Sequence, residues 1–248
     1  MGAMFWFLSL LVVFFPSLCT CQSDFVSSRA TFYGSPDCLG TPRGGCGYGE
    51  FGRVVNGGDV GAVAWLFRNG SGCGACYQVR CTYPGLCSND GVNVVVTDHG
   101  ASGNTDFILS ASAFAKLATP NYASELMAYG GVEIQYRRIP CQYPGYNLMF
   151  KVTEHSNYPH YIAFVIIYQA GQQDITNVEL WREDCKQWWG MRRAFGAVWD
   201  MANPPRGALN ARLTLVGDDG ATTSVQLNNA IPNDWKAGAV YDSAVQLN

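Results

Sequence analysis

Four cysteines, Cys73, Cys76, Cys81 and Cys87, crowd into the sixteen-residue segment GCGACYQVRCTYPGLC at 72–87, in a chain that carries ten in all. Such density prescribes a covalent knot wherever thiols are oxidised, and a knot dictates where the surrounding backbone can go. The start of the chain points to that environment. Residues 4–18, MFWFLSLLVVFFPSL, are uncharged and almost wholly apolar, and the first charge is Asp24. That length suits the apolar region of a secretory signal and falls short of the ~20 residues of a membrane span. Ser17, Cys19 and Cys21 offer cleavage points, so residues 1–21 read as a signal peptide, although Lys and Arg are missing ahead of the apolar run. Trp6 stands where a myristoylation signal carries Ser or Thr. No later stretch is long and apolar enough to cross a bilayer, and no membrane partner is expected.

Export makes disulfide pairing the default. Loss of Cys19 and Cys21 with the signal leaves an even set: Cys38, Cys46, Cys73, Cys76, Cys81, Cys87, Cys141 and Cys185. Eight cysteines allow 105 connectivities, and spacing does not choose among them. Cys73 and Cys76 form a C-x-x-C, but the second pair is five residues apart and lies only four residues on, unlike zinc-finger spacings. Disulfides are expected, with no metal and no cofactor.

Charged residues make up 14% of the chain and the net charge is −3. With no basic patch to neutralise phosphates, nucleic acid is not an expected partner. Twenty-eight glycines and 13% aromatic residues point to a β-rich protein with tight turns. The sequon Asn69-Gly70-Ser71 marks a glycosylation acceptor between Arg68 and the knot. Strands are predicted at 30–35, 75–81, 93–98 and 132–139, and helices at about 112–117 and 123–129. After Cys141 and the Pro-Gly turn in QYPGYN the pattern becomes strands alone: LMFKVTE, YIAFVIIY, TNVELW, ARLTLV and TTSVQL. YIAFVIIY is apolar on both faces and reads as a central strand, whereas ARLTLV alternates and has one wet face. Two β domains with a boundary near 142–147 follow.

Taken in order, ATFYGS, RGGCGYGEFG, GSGCGACYQVRC, VVVTD, FILSASAFAKLA, YRRIPC, FGAVWDM and IPNDWKAGAVYDS resemble an expansin over about 28–245. NPPRG at 203–207 and CGYGEFGR at 46–53 bring the resemblance nearest to the plant expansin-like B branch. The resemblance implies an all-β dominated fold: a six-stranded double-psi β-barrel at 26–142, similar to family-45 endoglucanases, then an immunoglobulin-like β-sandwich at 147–246 that binds cellulose. It also implies the disulfides Cys46–Cys73, Cys76–Cys141 and Cys81–Cys87, leaving Cys38 and Cys185 without assigned partners. Closing the long Cys76–Cys141 loop would stabilise by ~3–5 kcal/mol on the chain-entropy model.

Inverting glycoside hydrolysis needs two carboxylates about 6.5–9.5 Å apart across the bond. The related endoglucanases place their acid in a strand ending His-Phe-Asp-Leu-Ser; the matching stretch here is Asp106-Phe107-Ile108-Leu109-Ser110, so Ile108 occupies the acid's position. Isoleucine transfers no proton, and nothing near Thr31–Tyr33 supplies a second carboxylate. The chain is therefore not expected to be a hydrolytic enzyme. Asp106, two residues before Ile108, would share its strand face and reach the groove one subsite over, or else is a solvated strand-start Asp. Asp98 matches an acidic groove residue of expansins; the bland reading is a turn Asp. Thr31 and Tyr33 would present a hydroxyl and a ring to a sugar, while His99 lacks a matched partner for acid-base work.

Aromatics abound in the second half: Tyr161, Trp181, Trp188, Trp189, Phe195, Trp199 and Trp235. Coplanar rings stack on the C–H faces of sugars at small rotamer cost. By the family match Tyr161, Phe195 and Trp199, with Trp188 next, form the binding platform, and Trp235 packs as a structural residue. The resulting expectation is a secreted, extracellular cell-wall protein, monomeric, binding cellulose, xyloglucan or another glucan and loosening the wall without hydrolysis. Two alternatives stand: a glycan hydrolase or transglycosylase with Asp98 and Asp106 as relocated carboxylates, and a lectin-like defence protein.

Overall fold

A computed structural model describes residues 25–100 and 105–247. Residues 1–21, expected to form a signal peptide, lie outside them. Six strands close a barrel in the order β1-β5-β2-β4-β3-β6. They are β1 (Val26–Tyr33), β2 (Val60–Val63), β3 (Cys76–Cys81), β4 (Val92–His99), β5 (Phe107–Ser110) and β6 (Gly131–Ile139). Three short helices accompany them: α1 (Glu50–Val54), α2 (Ala111–Ala115) and α3 (Ala123–Ala128). α2 begins where it does because the Ser110 hydroxyl accepts the Ala113 N–H, satisfying a first-turn donor. The sequence pattern misses β2 because all four residues of VGAV are buried: a strand covered on both faces shows no alternation.

Nine further strands follow: β7 (Met149–Val152), β8 (Tyr161–Ile167), β9 (Asp174–Arg182), β10 (Gln187–Gly190), β11 (Arg192–Phe195), β12 (Val198–Ala202), β13 (Leu209–Val216), β14 (Thr222–Ile231) and β15 (Val240–Asp242). They form a four-stranded sheet, β10-β9-β13-β14, and a five-stranded sheet, β11-β12-β8-β7-β15. One apolar core lies between the two sheets. β13 alternates buried and half-buried residues along its whole length, as its sequence predicts.

β8 is the middle strand of its sheet, and both of its faces are covered for different reasons. Ile162, Phe164 and Ile166 enter the core between the sheets. Ala163, Val165 and Ile167 belong to the same apolar cluster as the barrel interior. The barrel therefore docks on the outer face of the five-stranded sheet.

The disulfides are Cys46–Cys73, Cys76–Cys141 and Cys81–Cys87. Cys73 and Cys76 thus turn to different distant partners, which is disulfide rather than zinc-finger use of a C-x-x-C. Cys38 and Cys185 are exposed and have no disulfide partner among the described residues.

Polar contacts fix the docking. Asp174 of β9 accepts from Arg138 of β6 at 2.9 Å and from Arg68 at 2.5 Å. Arg193 donates to the carbonyls of Gly70 (3.1 Å), Gly196 (2.8 Å) and Ile175 (2.5 Å). One half-buried guanidinium thus ties the loop after β2 to both sheets.

Candidate functional site

The barrel registers assemble a row that crosses four strands. Thr31 of β1 pairs with Ile108 of β5, Ile108 with Ala62 of β2, and Ala62 with Asp98 of β4. Ladder partners point to the same side of a sheet. Their strand neighbours Ala30, Phe107, Leu109 and Val63 fill the barrel interior, so the row Thr31–Ile108–Ala62–Asp98 lies on the outside. Tyr33 follows two residues after Thr31 on the same face. Gly100 lies close over the middle of the row: a Cβ there would sit 3.3 Å from Ile108 Cδ1 and 3.5 Å from Ala62 Cβ.

The polar groups of the row are already partly engaged. Thr31 Oγ1 donates to the Gly130 carbonyl at 2.5 Å. Asp98 Oδ1 accepts the N–H groups of Gly45 (2.5 Å) and His99 (2.7 Å). The Tyr33 hydroxyl is buried and has no hydrogen-bond partner among the described residues. Burial, and then the charge of Asp98, push its pKa up to about 12. A neutral phenol held beside a carboxylate and shut off from solvent carries a desolvation cost.

Asp106 is not part of this row, which corrects the same-face expectation. It sits in a bend before β5 begins, so the two-residue strand period does not reach it. Its Oδ2 accepts the Ser28 hydroxyl at 2.5 Å, and its charge acts on Tyr136. His99 stacks on Phe67, ring centroids 4.4 Å apart. Asn69 is exposed with φ of 54°.

Trp65 escaped the sequence reading and is 86% exposed. Within AWLFRNG it looks like part of an apolar core run. Its neighbours bring it to the rim of the row: Val63 accepts the Gly100 N–H, Ala64 donates to the Asp106 carbonyl, and Phe67 carries His99.

The four expected platform aromatics separate. Tyr161 and Phe195 face outward from the five-stranded sheet and line one cleft of about 360 Å³ together with Arg43, Gly44, Glu154 and His155. Phe195 is 57% exposed. The Tyr161 hydroxyl donates to Asp200 Oδ2 at 2.9 Å, and Arg192 donates to both oxygens of Asp200 at 2.9 and 2.6 Å. Those hydrogen bonds, Arg192 foremost, hold the Asp200 carboxyl below the usual carboxylate range. The anchor of Tyr161 therefore persists in acid that protonates an ordinary aspartate, and is lost only as pH falls through the lowered value.

Trp199 is a correction. It pairs with Phe164, shares that residue's inward face and is 4% exposed. Arg193 lies 4.2 Å over its ring. Trp188 is a second correction. It pairs with Trp181 on β9 of the other sheet and packs under Arg212, so strand pairing carries it to the opposite side of the sandwich from Tyr161. Trp235 is 3% exposed, as expected of a structural residue.

The cleft and the barrel row touch. Asp98 holds Gly45; the Cys46 carbonyl accepts the Ala197 N–H at 2.9 Å. Gly196 between them has φ of 49°, and a Cβ there would lie 2.3 Å from the Gly45 oxygen and 2.6 Å from Cys46 Cα. Gly196→Ala is expected to force the sandwich off the barrel and lower stability by roughly 2 kcal/mol. A thermal midpoint equal to wild type would show that the contact is not tight.

Comparison with known proteins gives two family matches: the expansin C-terminal domain over residues 148–232, and a family described as lytic transglycolase over 59–136. An expansin-like B1 of Arabidopsis thaliana is 54% identical over 96% of this chain and 94% of its own length. An expansin-like B1 of Oryza sativa subsp. japonica is 46% identical over the same shares. Among solved structures, an apo expansin of Clavibacter michiganensis superposes with a TM-score of 0.64 at 18% identity, covering 90% of this chain and 98% of that one. A point mutant of that expansin, solved with cellohexaose, gives 0.64 at 18% identity over 89% and 98%.

Proposed function

The chain belongs to the expansin superfamily, and from that premise we propose that it grips cell-wall glucan along the barrel row and the adjoining cleft without cutting it. The carrying observation is the row itself. Asp98 is its single carboxylate, and the endoglucanase resemblance puts Ile108 at the position of the proton donor. Sugar rings would stack on Phe195 and Tyr161, with Trp65 at the far rim. Stacking energy would then compete with glucan–glucan contacts and loosen them. Export to the wall belongs to the same reading and rests on residues 1–21. The cellohexaose complex of the Clavibacter michiganensis expansin supports the ligand class.

The test pairs two measurements on the purified protein. Binding to insoluble cellulose is expected to weaken roughly tenfold in Phe195→Ala and in Tyr161→Ala, the loss of one well-placed aromatic contact. Reducing-end release from soluble glucans is expected to stay at the blank level for wild type and for Asp106→Asn alike. Sugar release that Asp106→Asn abolishes would replace this reading with the hydrolase one.

A further inference from the structure

The NPPRG segment has no part in the site above. It lies where β12 passes the chain to β13, at one end of the sandwich. There a cavity of about 410 Å³ opens between Pro159-His160, the 182–184 tip of the β9–β10 hairpin and Asn203-Pro204-Pro205-Arg206. A second hollow of about 270 Å³ shares Pro159, Pro204, Pro205 and Arg206 and adds Tyr158 and Trp235.

Local pairing leaves this double cavity with a positive donor set. Asp184 takes two hydrogen bonds from Arg182, at 3.1 and 2.6 Å. Glu183 takes Trp181 Nε1 at 2.8 Å and Lys186. Both acids are thus answered by their own hairpin. Arg206 and His160 are exposed, and neither side chain has a hydrogen-bond or ion-pair partner among the described residues. Beside them lie flat apolar surfaces: Pro159 and Pro205, and Tyr158, 49% exposed and braced edge-on by Trp235 at 5.1 Å. Two consecutive prolines stiffen the loop that presents Arg206, so little freedom is lost when it engages a ligand.

We propose that this end of the sandwich is a second glycan site, separate from the glucan track, and that it takes a carboxylate-bearing sugar such as a uronate residue of an acidic polysaccharide. Flat rings beside a few converging donors suit a sugar. An unpaired guanidinium selects for a carboxylate, which it meets with two parallel N–H donors. His160 would hold a neighbouring hydroxyl, and Tyr158 with the prolines would cover the sugar's C–H face. The protein would then hold a neutral and an acidic wall polymer at once.

The full chain would be titrated with galacturonate oligomers and, separately, with cellohexaose, using wild type, Arg206→Gln, His160→Gln and Arg29→Gln. Arg29 lies on the barrel, paired with Glu133, and its variant removes the same charge elsewhere. Wild type is expected to bind the acidic oligomer. Arg206→Gln should weaken that binding roughly tenfold or more, as loss of a charge-assisted contact does, and His160→Gln by less. Arg29→Gln should leave it unchanged, and cellohexaose binding should be the same in all four proteins. The proposal fails if wild type ignores the acidic oligomer, if Arg206→Gln binds it equally well, or if Arg29→Gln loses as much. A parallel loss of cellohexaose binding in Arg206→Gln would also overturn it, by merging the two sites. Failure of cellohexaose to bind any of the proteins would instead count against the glucan track alone.

Discussion

Cys76→Ala/Cys141→Ala is expected to lose about 4 kcal/mol of unfolding free energy, against about 2 kcal/mol for Cys81→Ala/Cys87→Ala, on the chain-entropy relation. The two bonds close loops of very different size: sequence separations are 65 and 6. The longer one joins the start of β3 to the residue that leaves β6, and both its cysteines are buried, at 7% and 5% exposure. Alanine leaves no unpaired polar atom there. Cys141 also pairs through its backbone with Gly171, so the same bond anchors the passage from barrel to sandwich. Denaturant midpoints of the oxidised proteins decide the matter. If removing the short-range bond costs as much as removing the long-range one, loop closure is not the source of stability.

Trp199→Ala is expected to cost about 3–5 kcal/mol, as for other large-to-small changes in a packed core, while Phe195→Ala costs about 0.5 kcal/mol or less. Truncating Trp199 empties a ring-sized space beside Phe164 and leaves Arg193 without the face it stacks on. Phe195 stands in solvent, and its removal should show in cellulose binding alone. Thermal unfolding and cellulose pull-down on both variants separate the two roles. A Trp199→Ala protein that melts with wild type yet no longer binds cellulose would return that ring to the surface.

The contrast between these two residues shows how far the sequence could be read. Both aromatics lie in one short stretch, FGAVW, and the family resemblance gave both the same role. Their directions depend on pairing with Val198 and with Phe164, strand partners that local spacing does not identify. Trp188 repeats the lesson, since its ladder partner belongs to the other sheet. The row in the barrel was half legible. Asp98, Thr31 and Tyr33 could be named from their strands, but only the registers of four strands show that Ile108 and Ala62 complete one line with Asp98 and Thr31. Asp106 was misplaced because a bend ended the strand one residue too soon for the alternation rule.

The chain by itself determined what local chemistry can determine: an oxidised, cysteine-rich, glycine-punctuated β protein, with a central strand apolar on both faces and a second region of alternating strands. Tertiary structure alone decided which aromatics meet solvent, which carboxylate stands in the outer row and why β8 has no wet face. The physical reason is range. Propensity, turns and alternation act over a few residues, whereas register and domain docking are settled by burial between segments far apart in the chain.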